Sequence, residues 1–64
     1  MTNDQVKLEL EKIQLANGGV LSPSAVVDHA RNSNHPLHDR FEWDDTKAAE
    51  LHRIEQARGI IRAV

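Results

Sequence analysis

Apolar residues recur along this chain at helical spacing, and no segment shows the sustained alternation that a half-buried strand requires. Val6, Leu10 and Ile13 fall at i, i+4 and i+7, with Leu8 and Leu15 widening the stripe. Thr2 and Gln5 have capping-box spacing, so a first helix is predicted to open at Thr2 and to end at Asn17-Gly18-Gly19, where glycine tolerates the left-handed backbone that closes a helix. Ser22 is the natural N-cap of a second helix with Pro23 at its first position, and Val26, Val27 and Ala30 form its inward face. Asn32-Ser33-Asn34 breaks the chain again. Leu37 and Phe41 at i and i+4, with Pro36 before them and Asn34 or His35 as cap, predict a short third helix within residues 36–43. Asp44 and Asp45 suit the cap and first turn of a last helix, Asp45 to Val64, where the helix dipole favours carboxylates. Its expected inward face carries Leu51, Ile54, Ala57, Ile60, Ile61 and Val64, with His52, Gln56, Gly59 and Ala63 opposite. The fold class read from this pattern is all-α: a small bundle of three main helices plus one short one.

Length changes the picture from architecture to stability. A chain of 64 residues holds one domain and buries only about 60% of the surface its unfolded form exposes. Domains this small usually add disulfides, a metal or a partner chain, and the absence of cysteine closes the disulfide and thiolate-zinc routes. Oligomerisation is therefore a serious expectation. Hydrophobic residues at 39% and charged residues at 28% fit a folded domain rather than a disordered tail. No signal peptide or membrane span can be drawn, which leads to the expectation of a soluble protein of the cytoplasm. The net charge of −2 argues against a surface that clamps polyanions over its whole area, although it leaves room for a local basic patch. The last helix reaches Val64 with no closing glycine, and the natural chain is expected to continue beyond it.

The stretch "HPLHDRFEWDD", residues 35–45, concentrates both aromatic residues, Phe41 and Trp43, with two of the four histidines. Burying both rings beside Leu37 is the largest hydrophobic contribution on offer, so a core corner is the leading reading. The expected core is Leu10, Ile13, Val26, Val27, Leu37, Phe41, Trp43, Leu51, Ile54 and Ile61. A metal or hydrolytic site would draw on His29, His35 and His38 with Asp39 or Glu42. Here His35 and His38 straddle a proline and a helix start, and no HExxH-type pair accompanies them. No catalytic residue, metal or cofactor is therefore assigned, and the chain is read as non-enzymatic with no small-molecule substrate.

The run from Gly18 to Val64, "GGVLSPSAVVDHARNSNHPLHDRFEWDDTKAAELHRIEQARGIIRAV", resembles an N-terminal segment of uncharacterised phage and prophage proteins. That segment carries an "LTPEAVV" helix, an "SPLH..FEWDD" corner and an "AAE..R..QAR.LIR" helix. The most specific part of the likeness is "PLHDRFEWDD". In that family a strand-containing region follows the segment. The resemblance thus implies a phage setting, a host-cell location and a minimal or truncated version here. It implies no activity and no site residues.

Two non-enzymatic functions fit these residues. The first is a helical interaction module that dimerises or docks on a phage or host protein, with Ile60, Ile61 and Val64 at the interface, since the last helix carries more apolar surface than the others can easily cover. The alternative is a helix-turn-helix-like DNA reader. It would present His35, His38 and Arg40 on the short helix and use Arg58 and Arg62 on phosphate, against the acidity of Asp39, Glu42, Asp44 and Asp45. The plainest account of Arg58 and Arg62 is a solvated, dipole-matched helix end.

Overall fold

The capping box predicted for the first helix is present in both directions. The Thr2 hydroxyl accepts the Gln5 N–H at 3.2 Å and the Gln5 side-chain oxygen accepts the Thr2 N–H at 2.8 Å, satisfying two donors that the first turn leaves open. The resulting α1 spans Asn3–Ala16. Gly18 and Gly19 stop it with φ of 67° and 90°, the backbone region that favours glycine, and the Gly19 N–H returns to the Gln14 carbonyl at 2.8 Å. Next, the Ser22 hydroxyl accepts the Ala25 N–H and Pro23 opens α2, Pro23–Ala30. A single 3₁₀ turn follows at His38–Arg40, and α3 runs over Glu50–Ala63. The computed structural model describes residues 2–46 and 49–64. It shows an all-helical globule of radius of gyration 11.0 Å, with no strand among the described residues.

The shortest helix organises the other two. Val26, Val27 and Ala30 of α2 are fully buried, and α2 packs against both α1 and α3, while α1 and α3 have little direct contact with each other. Val6, Leu10 and Ile13 of α1 and Ala57 and Ile60 of α3 close on this hub, with Leu37 and Phe41 sealing one end. Leu8 and Leu15, expected to widen the α1 stripe, are instead 51% and 80% exposed. At 3.6 residues per turn they lie roughly half a turn from Val6, and a chain with only α2 to pack against buries a narrow arc.

The expected helix within residues 36–43 is reduced to the one 3₁₀ turn. Its backbone bonds run i to i+3: His38 N–H to His35, Arg40 N–H to Leu37, and Phe41 N–H to His38. The His35 ring nitrogen Nδ1 accepts the Leu37 N–H at 3.1 Å, but the N-cap of the turn is Leu37, without a side-chain cap bond, so neither Asn34 nor His35 caps it. Phe41 then turns to an extended conformation (φ −120°, ψ 154°), and this bend brings Trp43 back over the turn, which a continuous helix would carry away.

The last helix also differs from its expected form. It begins at Glu50 rather than Asp45, capped by Ala49 without a side-chain bond. The part of the expected helix at residues 47–48 lies outside the described residues. Asp44 builds a turn by accepting the Thr46 N–H at 3.0 Å and hydroxyl at 2.7 Å, and Asp45 bonds Arg53, so neither caps α3. The inward face is rotated: Arg53, Ala57 and Ile60 are buried, and Gln56, expected to face outward, is half-buried and accepts the Glu42 N–H at 3.2 Å. Leu51, expected in the core, is 73% exposed, and Ile54, Ile61 and Trp43 pack against the core from half-buried positions.

Candidate interaction groove

Two features concentrate side-chain chemistry: the corner around Trp43 and a groove between α1 and α3. At the corner, the Trp43 indole N–H donates to the His38 carbonyl at 2.7 Å, and the His38 ring stacks on the indole with centroids 5.0 Å apart and planes 7° from parallel. The other end of the His38 ring is engaged as well, its Nδ1 donating to the Ala30 carbonyl at 2.7 Å. Phe41 leans on the indole at 5.6 Å, and the guanidinium groups of Arg53 and Arg31 lie 5.2 and 5.9 Å from its centre, within cation–π range.

Arg53 ties the corner to α3. Its guanidinium donates to the Glu42 carbonyl at 3.1 Å, to Asp45 at 2.8 Å and to Glu50 at 3.3 Å. The bond to Asp45 is the largest influence that raises its pKa above the ordinary value. Arg31, at the end of α2, bonds Glu50 and Asp28. The bond to Glu50 raises the arginine's pKa and lowers the carboxylate's. With every one of these polar groups facing a partner, the corner is a structural joint.

The histidines are not brought together as ligands. His29 and His35 approach edge to face at 6.3 Å, His35 Nε2 lies 3.9 Å from Glu9, and no group of three metal-ligating side chains forms among the described residues. Burial pushes the pKa of His35 down, only partly opposed by the attraction of Glu9.

The groove follows from the packing of α1 and α3 on α2 without closing on each other. Leu21 and Ile61 are shared by two adjoining depressions. One, of about 420 Å³, is completed by Pro23, Arg58 and Arg62, and the other, of about 220 Å³, by Lys7, Leu10, Glu11 and Gln14 of α1 and by Val64. The Gln14 side chain donates to the Gly19 carbonyl at 3.1 Å and holds the loop that leads into Leu21. The floor is apolar and the rim carries Lys7, Arg58 and Arg62 with one acid, Glu11. Of the three residues expected at an interface, Ile61 and Val64 line this groove. Ile60, 7% exposed, belongs to the chain's own core. Among the residues considered for DNA, Arg58 and Arg62 sit on the rim with Arg58 bonded to Glu55, Arg40 is exposed on the 3₁₀ turn, and His35 and His38 are half-buried in the bonds given above.

Leu21 is the groove residue that the sequence reading missed. Its signal was its place just before the N-cap Ser22, where a hydrophobic staple would join it to Val26, the fourth residue after the cap. No helix of the described residues is long and apolar enough to cross a membrane. Comparison with protein-family models, with curated proteins and with solved structures finds no match for this chain.

Proposed function

We propose that the chain is a helical interaction module of a phage-type protein, acting in the host cytoplasm, and that it self-associates through the groove centred on Leu21 and Ile61. The observation that carries this reading is the open, apolar floor between α1 and α3, continued by Val64 at 41% exposure. Helices that share one neighbour but do not close on each other leave a place for a further helix, and a small domain gains stability by filling it. A DNA reader is less well supported. The element that would enter the major groove is three residues of 3₁₀ turn, and His38 is committed to Ala30 and Trp43. Light scattering over a concentration series tests the proposal: mass should rise above the 7.2 kDa of one chain, and a constant monomer mass refutes self-association. A salt-sensitive shift of labelled duplex that disappears in an Arg58→Ala, Arg62→Ala double variant would put the DNA reading in its place.

A further inference from the structure

Leu8 and Leu15 stand one heptad apart on α1, half or more of each side chain in solvent, and neither supports the core of its own chain. Asp4 and Glu11 occupy the same stripe, since positions 4, 8, 11 and 15 follow the i, i+4, i+7, i+11 spacing of one helix face. The stripe is therefore leucine with carboxylate. The groove beside it has an apolar floor at Leu21 and Ile61 under Lys7, Arg58 and Arg62, with Arg58 also bonded to Glu55 and Glu11 standing at the border of stripe and rim, which leaves the groove net cationic. A chain that exposes both halves of such a match can satisfy them only on another molecule, because the stripe and the groove flank the same helix and face different directions.

We infer that the occupant of the groove is α1 of a second copy, inserted by its Leu8–Leu15 stripe, and that the insertion is reciprocal about a two-fold axis. This rests on the self-association proposed above and names the surface that performs it. Each copy gives a stripe and receives one, so α1 and α3 of both copies form a four-helix layer. The two leucines cover Leu21 and Ile61, and Asp4 and Glu11 come within reach of the arginine rim. A symmetric contact of groove on groove, Ile61 against Ile61, would leave Leu8 and Leu15 in water and is the arrangement this inference excludes.

Three variants and one mixture test it. Leu8→Lys with Leu15→Lys spoils the stripe and leaves the groove intact. Val64→Asp spoils the groove at an exposed position and leaves the stripe intact, and Ile61→Asp does so more severely. Circular dichroism should show the stripe variant and Val64→Asp as helical as the parent, since Leu8, Leu15 and Val64 lie outside the core; Ile61 packs against it, so Val64→Asp carries the groove test if Ile61→Asp loses helix. Sedimentation equilibrium should show the dimer dissociation constant raised roughly thirtyfold or more in the stripe variant and in the Ile61→Asp variant. An equimolar mixture of those two should dimerise more tightly than either alone. The mixed pair regains one intact contact, the stripe of the Ile61→Asp copy in the groove of the other, where each variant's own dimer has none. A stripe variant that dimerises like the parent, while a groove variant does not, overturns the inference and leaves self-association through the groove standing. A mixture no tighter than its components also overturns it. A parent chain that stays monomeric throughout overturns both.

Discussion

Replacing Leu37 by alanine tests the account of the corner most directly. Leu37 is fully buried although it sits in a turn, and it is held by the bond of its N–H to the His35 ring and by packing within the core cluster. The substitution removes three carbons from a dry site, and at about 0.8 kcal/mol per methylene the transfer component alone is roughly 2.4 kcal/mol. A residual cavity adds to this, so the expected loss is about 3 kcal/mol, toward the lower end of the range for buried leucines because a turn relaxes more readily than a helix. A domain of this size has about 3 to 10 kcal/mol in total. Urea titration followed by Trp43 fluorescence is the natural assay, since this residue is the chain's one tryptophan and lies in the same cluster. With a slope of about 1 kcal/mol per molar urea, the midpoint should fall by about 3 M or the variant should be unfolded at the outset. Leu51→Ala is the control, with an expected change within about 0.5 kcal/mol at a solvent-exposed site. A Leu37→Ala loss below about 1 kcal/mol, or equal losses at the two leucines, would refute the assignment of Leu37 to the core and Leu51 to the surface.

Gly59→Ala should stabilise the fold by about 0.5 to 1 kcal/mol, because Gly59 is inside α3 and an added methyl meets nothing within 4 Å, and a lower thermal midpoint would contradict that open space. Gly18→Ala should destabilise by about 1 to 2 kcal/mol although it too has room, since its φ of 67° is a left-handed conformation, and the opposite signs of the two glycine variants can be read in one melting series. For His35 the folded-state pKa lies below its ordinary value near 6.5, burial being the main cause. The unfolded chain therefore binds more protons as pH falls past that value. The stability this group contributes is fully present above about pH 6.5 and is lost as pH drops through the folded-state value. His35→Asn, which keeps an acceptor near the Leu37 N–H without titrating, should flatten the stability profile between about pH 7 and pH 5, and an unchanged slope would reject His35 as a contributor. Trp43→Phe should lower stability by removing the indole N–H bond to the His38 carbonyl and reducing the ring area stacked on His38, with a loss of about 1 to 2 kcal/mol by urea titration followed by circular dichroism.

What could be read from the sequence was local. The capping box of Thr2 and Gln5, the Ser22-Pro23 start and the glycine stop are made by residues a few positions apart, so their spacing carries the whole geometry. Apolar character alone does not set the inward face of α3. Arg53 is buried because Glu42, Asp45 and Glu50 converge on it from different parts of the chain, and that rotates the helix enough to turn Leu51 out and Gln56 in. The short helix failed for a related reason: the Trp43 bond to His38 and the His38 bond to Ala30 favour a bend over continued helix, and such pairings across the fold leave no period in the sequence. The groove was half visible. Ile61 and Val64 were marked by excess apolar surface, whereas its other wall is defined only by how α1 and α3 settle on α2.

That shared dependence on α2 has a kinetic side. The α1–α2 pair is joined by residues 17–22, but α3 reaches α2 only after residues 31–49, so docking it requires a longer loop to be ordered. Between residues 35 and 43 the loop is stapled by the His35, His38, Trp43 and Arg53 bonds, and each of these removes freedom that closure would otherwise cost. We predict that the α1–α2 hairpin forms early and that assembly of the corner sets the folding rate. Substitutions at Trp43 or Arg53 should slow folding more than they speed unfolding, and Val6→Ala, in a hairpin formed before that step, should do the same.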